Sequence, residues 1–366
     1  MLGTRLMSSL TKSIMDFPVL GLDFSDLSIK FASFNERGSH LGVRYIGAAE
    51  LHEGVLVNGK IEDASSLIHV LRNLKTVDGK MVRGKFVVAS LPEEKGFIQL
   101  MRVARAKAGN LAAAIRWEME GAVPLPVEEL YYDFEVVPTS EESDHVDVLV
   151  LAYPRVLVDS YAAVLKEAGF VVMALELESQ AIVRALVPPA MVTPLLVIDL
   201  GATRTSLALV AGGSIVHTST ISISGHMFEE SIAKSAGVSL EEAHRLKIEI
   251  GLDFKQTEGV AARALLESLR PLVDEVLRHI DFYRNHSHDR GIHQDSIEKI
   301  ILTGGDANLV GLDSFLSRSV KVDVEKWNPF TLILPRMGKA LPPIPANIAH
   351  EYTTAIGLAL REIDFS

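Results

Sequence analysis

At 366 residues, with 48% hydrophobic and 23% charged side chains, the chain is long enough for two domains or one bilobed one, each with a sizeable core. A formal net charge of −11 argues against nucleic acid as a partner, because phosphate backbones need a basic face. With no cysteine there is no disulfide, thiol catalysis or thiolate-bound metal, and no apolar run reaches the ~18 residues of a membrane-spanning helix.

Residues 1–17 lack the continuous apolar core of a secretory signal. Leu2, Leu6, Leu10 and Ile14 recur every four residues, which suits a short amphipathic membrane-surface helix or a disordered, loosely docked leader. Residues 19–34, VLGLDFSDLSIKFASF, predict a hairpin: an apolar strand, Asp23 where it runs into a tight turn, and an alternating strand leading back. A third strand around GVRYIGAAEL, a helix near ASSLIHVLRNLKTV and a buried strand KFVVASL complete residues 18–95. Residues 96–168 change character and read as a compact βαββα insertion ending in the helix RVLVDSYAAVLKEAG. Its first helix carries Leu111, Ile115, Trp117 and Met119 without a clean stripe, which predicts burial on more than one side. Trp117 and Tyr132 suit a partner surface or, as single residues, core burial.

A strand and helix over 169–194 return to the first lobe before Pro188, Pro189 and Pro194 mark the crossing to a second lobe, 195–345. That lobe opens with LLVIDLGATRTSLALV at 195–210, which repeats the first hairpin's pattern with Asp199 at the strand end. One such hairpin is an ordinary tight turn; two at corresponding places predict a two-lobed clamp. A carboxylate and a row of backbone N–H groups at each turn can hold the phosphates and magnesium of a nucleotide. Helices near EESIAKSAG and SLEEAHRLKIEIG, then a long amphipathic helix ending in YRNH, precede a strand that stops at Gly304 and Gly305, where a ligand can approach backbone closely. His279, His286, His288 and His293 lack the spacing of a zinc site and read as a solvated helix end. A last helix over 346–366 crosses back to the first lobe.

In order, the Asp23 hairpin, DLGATRTS and TGGDANL resemble the two phosphate loops and the adenosine loop of the actin-like superfamily of sugar kinases, heat-shock-70 proteins and actin. Within it, AIRWEMEGAVPLPVEELYYDFEVV, SGHMFEESIAKSAGVSLEEAHRLK and AIGLAL resemble the PilM family of type IV pilus assembly proteins, relatives of FtsA, from about Val19 to Leu360. The resemblance implies an α/β, actin-like (duplicated ribonuclease H-like) bilobed ATPase fold with an insertion subdomain in the first lobe.

It also implies ATP and Mg2+ as cofactors, with Asp23 and Asp199 holding the cation through water. Ser25, Ser28 and Lys30 would serve the first phosphate turn, and Gly201, Ala202, Thr203 and Thr205 the second. Ser224 and Gly225 form a small-residue turn nearby, His244 and Lys247 clasp the ribose and base, and Gly304, Gly305 and Leu309 form the adenosine turn. Relatives commonly have glycine where this chain has Ser25, serine or threonine at Asp26, and glutamate at His244. An added Cβ crowds phosphates and an added carboxylate repels them, so these departures weigh against tight binding and more against turnover. Glu178 is the candidate water-orienting base, or simply an acid placed at a helix N-terminus.

The implied role is a cytoplasmic scaffold of pilus or related secretion assembly, peripheral at the inner membrane, with weak or no ATPase activity. It would capture the cytoplasmic N-terminal tail of a PilN-like inner-membrane partner, with self-association open. The alternatives are a small-molecule kinase of the same superfamily and a nucleotide-free scaffold.

Overall fold

The computed structural model of the chain describes residues 18–363 apart from 106–109, 138–143, 256–258, 287–295 and 339. The expected leader at 1–17, His288 and His293 lie outside the described residues.

Strands β1 (Leu20–Phe24), β2 (Ser28–Arg37) and β3 (His40–Glu50) form an antiparallel meander. The pair β4 (Leu56–Val57) and β5 (Lys60–Ile61), helix α1 (Ala64–Arg72) and strand β6 (Phe86–Leu91) follow. Asp63 starts α1 by accepting the Ser66 backbone N–H, and Leu67, Ile68 and Leu71 form its buried face. An insertion comprises β7 (Phe97–Ala104), α2 (Leu111–Ala122), β8 (Leu130–Val137) and β9 (His145–Pro154). Helix α3 (Arg155–Glu167), β10 (Val171–Leu177) and α4 (Glu178–Leu186) then rebuild the first lobe. Its sheet runs β3-β2-β1-β6-β10, with β6 parallel to both β1 and β10. β1 and β6 are apolar along nearly their whole length because helices and loops cover both faces of this parallel part.

The second lobe contains β11 (Leu195–Leu200), β12 (Thr205–Ala211), β13 (Ser214–Ile221), α5 (Gly225–Ala236), α6 (Leu240–Glu249) and α7 (Val260–His286). It continues with β14 (Lys299–Thr303), α8 (Leu312–Val320) and β15 (Asp323–Lys326). Its sheet runs β13-β12-β11-β14-β15. Each sheet is thus three antiparallel strands followed by two parallel ones, so the repeat in the sequence is a repeat of topology. Both hairpin turns leave the C-terminal end of a strand with a parallel neighbour, the edge at which open α/β sheets bind ligands.

The C-terminal crossing is a broken helix: after α9 (Leu334–Met337), α10 (Ala346–Ala349) meets a 3-10 turn, His350–Tyr352, and α11 (Thr353–Ala359). α11 lies against β1 and α4, which requires Gly21 and Gly357. A Cβ on Gly21 would strike the Ala355 carbonyl and one on Gly357 the Ala181 carbonyl, backbone atoms with no freedom to retreat.

The insertion follows the expected βαββα order, and its closing helix α3 buries Leu157, Tyr161, Val164 and Leu165 in the first-lobe core. Two expectations are corrected. α2 has a single buried stripe, Ile115 and Met119, one turn apart, and Trp117 is 72% exposed. His279 is buried, with Nδ1 bonded to the Glu275 carbonyl and Nε2 3.3 Å from Ser219 Oγ, so it does not belong to a solvated helix end.

Candidate functional site

The two hairpin turns face one another across a cleft of about 480 Å³. Asp23, next to last in β1, accepts Ser90 Oγ at 3.2 Å, and Ser90 Oγ in turn accepts the Phe24 N–H at 2.9 Å. The end of β6 thereby orients the carboxylate that the end of β1 carries. Asp199 is next to last in β11 and pairs in register with Ser206 on β12 and Thr303 on β14. Burial pushes the Asp23 carboxyl above its usual range, with Lys30, Ser90 and Arg204 opposing. Asp199 is pushed up to about 7, first by burial and then by the negative charge of Asp23, against Lys30 and Arg204. The carboxylates therefore sense each other across the cleft, and a cation between them would relieve both.

The second turn is held from three sides. Gly201 N–H donates to Arg204 O at 2.9 Å, and the first amides of α5 clamp it: Gly225 N–H to Gly201 O and His226 N–H to Ala202 O, both at 3.1 Å. Gly304 closes the far side at φ +88°, where a Cβ would collide with the Leu200 carbonyl and lie 2.5 Å from Asp199 Oδ1. Only glycine lets the β14 turn lie beside that carboxylate. In the first turn the Ser25 hydroxyl is spent locally: it accepts the Ser28 N–H at 3.1 Å and lies 3.0 Å from Ser28 Oγ. Asp26 is turned away from the cleft and accepts Asn58 N–H at 3.1 Å and Gly59 N–H at 3.0 Å in the β4–β5 turn. The Asp26 carboxylate is thus held by a neighbouring loop, while its charge still acts on Arg204 of the second turn.

At the other end of the cleft, Lys247 Nζ lies 2.6 Å from both Glu229 Oε1 and Asp306 Oδ1. Burial alone would lower its pKa, but Asp306 and Glu229 hold it above the usual lysine value. His244 Nδ1 is 2.6 Å from the same Glu229 oxygen. A carboxylate therefore lies beside both His244 and Lys247, supplied by Glu229 on α5. The Ser239–Glu242 capping interaction sets the start of α6, and Gly237 at φ +69° ends α5, which fixes the angle that brings the two helices together. His350 lines the same end, and its buried Nδ1 has no hydrogen-bond partner among the described residues.

Of the expected site residues, Asp23, Ser25, Ser28, Lys30, Glu178, Asp199, Gly201, Ala202, Thr203, Gly225, His244, Lys247, Gly304 and Gly305 line the cleft. Thr205, Ser224 and Leu309 do not. Thr205 is fully buried and donates to Ile223 O at 2.7 Å, Ser224 caps α5 by accepting the Met227 N–H, and Leu309 belongs to the second-lobe core. Glu178 is buried, and burial foremost raises its pKa, with Arg204 opposing at 3.7 Å. Ser90, Glu229, Asp306, His350 and Arg204 also belong to the site. Only Arg204, a lone charge among the small residues of DLGATRTS, and Asp306, directly after Gly304–Gly305, carried a local signal.

Among the described residues no group of three or more His, Asp or Glu makes a metal cage. The carboxylate pair instead fits Mg2+ delivered with phosphates, since that ion keeps several waters and takes one or two protein carboxylates.

Comparison with known proteins gives a consistent picture. The sequence profile described as type IV pilus assembly protein PilM matches residues 21–363. Cell division protein FtsA of Agrobacterium fabrum (strain C58 / ATCC 33970) is 26% identical over 183 residues, 44% of this chain and 39% of that protein. The alignment thus spans about two fifths of the curated relatives it matches. A solved PilM-PilN type IV pilus biogenesis complex superposes with a TM-score of 0.77 at 26% identity, covering 96% of this chain and all of the matched one. MreB 5 of Spiroplasma citri bound to AMPPNP superposes at 0.55 and 13% identity, covering 94% of this chain and 95% of that one. The ethanolamine utilization protein EutJ of Carboxydothermus hydrogenoformans superposes at 0.53 and 17%, covering 94% and 89%. The fold is the actin-like one.

Proposed function

The chain belongs to the family of type IV pilus assembly protein PilM, and from that premise we propose that it is a cytoplasmic assembly scaffold that closes two lobes around Mg-ATP and captures a membrane-anchored partner. The observation that carries the nucleotide half is the facing pair Asp23 and Asp199, one from each repeated hairpin, with Lys30 acting on both. ATP would lie with its phosphates between Gly201–Thr203 and the Ser25–Ser28 turn and its nucleoside toward Lys247, Gly304 and Gly305. Mg2+, when bound, supplies the positive charge that the two carboxylates require. Glu178 lines the cleft, but it is buried and paired with Arg204, so turnover is proposed to be slow or absent. Calorimetric titration with Mg-ATP tests the binding: saturable heat in the native chain, lost in Asp199→Ala, supports it. No heat in the native chain refutes it.

For the partner, a groove of about 430 Å³ lies where the insertion meets α4 and the second lobe, lined among others by Leu149, Val183, Val187, Pro188 and Ile215. Among the described residues β8 pairs with β9 alone, so its outer edge over residues 130–136 can accept an added strand while the groove takes small apolar side chains. The neighbouring solved complex pairs a PilM with PilN. We propose that the groove takes the N-terminal cytoplasmic tail of a PilN-like inner-membrane protein, which would place this chain at the membrane surface. No helix among the described residues is long and apolar enough to cross a membrane. A synthetic tail peptide should bind the native chain, and Val183→Asp should abolish that binding while leaving the Mg-ATP titration unchanged. Equal peptide affinity in both proteins would move the site elsewhere.

A further inference from the structure

Arg204 leaves the second-lobe turn and ends between two carboxylates of the first lobe. Its Nη1 lies 2.5 Å from Glu94 Oε1 and its Nη2 3.7 Å from Glu178 Oε1. The three side chains are 14%, 21% and 9% exposed, so water and salt screen this group far less than a surface pair. Both anchors are stiff. Glu94 sits on the 3-10 turn Glu93–Lys95 that follows β6, and Glu178 opens α4. The neighbouring Glu93 ties that turn to α4 by accepting the Ser179 N–H at 3.1 Å and the Ser179 hydroxyl at 2.9 Å. On the other lobe, the Gly201 N–H bond holds the Arg204 carbonyl and hence the turn. Glu94 Oε2 is buried with no hydrogen-bond partner among the described residues, so the charge of Glu94 is answered through its other oxygen by Arg204. A guanidinium suits this place because its planar fork reaches two carboxylates at once and stays charged when shielded.

We propose that Arg204 is an interlobe latch: an internal counter-cation that holds the two lobes together through Glu94 and Glu178, so that closure does not require a nucleotide. The latch uses protein groups only and holds whether or not the cleft takes ATP.

The chain has no cysteine, so labels at Glu53→Cys on the first lobe and Glu241→Cys on the second report the interlobe distance without interference. Pulsed electron-electron distance measurements on the full chain without nucleotide should give one narrow distribution. Arg204→Gln should at least double its width and add longer distances. Glu94→Gln with Glu178→Gln should do the same, although it leaves no unpaired acid at either position, and Arg204→Lys should fall between. Native widths in both glutamine proteins overturn the latch. Widening in Arg204→Gln alone also overturns it, because the cause would then be repulsion between stranded carboxylates. If Arg204→Gln fails to fold, the Glu94→Gln, Glu178→Gln protein decides the matter by itself.

Discussion

Asp199→Asn should make the ligand-free protein more stable at alkaline pH while destroying its affinity for Mg-ATP. The Asp199 carboxyl is raised from 3.8 to about 7 by burial and by Asp23. A raised folded-state pKa means that the unfolded chain releases this proton first. The folded state is therefore unpenalised below about pH 4, loses stability steadily as pH rises to about 7, and carries the full penalty above that. A shift of roughly three units at ~1.4 kcal/mol each sets a ceiling of about 4 kcal/mol. The carboxylate faces open cleft water on one side, which reduces the realised penalty to about 1–3 kcal/mol. At about 2 °C per kcal/mol for a chain of this size, the variant should melt about 2–6 °C above the native protein at pH 8, and the gap should shrink toward pH 5. Thermal unfolding by circular dichroism across pH 5–8 reads this directly. Saturating Mg-ATP should reverse the order at pH 8, because binding stabilises only the native protein. A gap that is absent, or equal at both ends of the pH range, would show that Asp199 is not a strained charge and remove the electrostatic case for a cation site.

The same shift governs ligand affinity: Mg-ATP association should weaken about tenfold between pH 8 and pH 6 as Asp199 takes up a proton, measured by titration in matched buffers. Thr205→Val should cost about 1–2 kcal/mol in urea unfolding, from the lost bond to Ile223 O, with Mg-ATP affinity unchanged. A large affinity loss there would instead restore Thr205 to the phosphate turn. Lys247→Met should cost about 3 kcal/mol, because Asp306 is left buried without its cation, and adding Asp306→Asn should recover much of it. Full additivity of the two substitutions would refute the pairing.

The duplicated hairpins could be read from the sequence because everything that specifies them is local. A strand-forming apolar run, an Asp at its end, a turn of small residues and a returning strand all lie within about a dozen residues, and the pattern occurs twice. Capping residues such as Asp63 and Ser239 are equally local, as is the glycine pair after β14. What the sequence left open depends on pairings between distant segments. Thr203 in the turn lines the cleft while Thr205, which opens the fully buried β12, is bonded in the core, and two threonines two positions apart carry no local signal that separates them. Neighbouring carboxylates met opposite fates: Asp23 faces the cleft, while Asp26 caps amides more than thirty positions away. The carboxylate beside Lys247 came from another helix, and Arg204 found its partners on the opposite lobe. A side chain's backbone neighbours decide which secondary structure it occupies. Which charge it meets is decided only when distant segments pack together, since in a low-dielectric site a few ångströms separate a stabilising pair from a costly one.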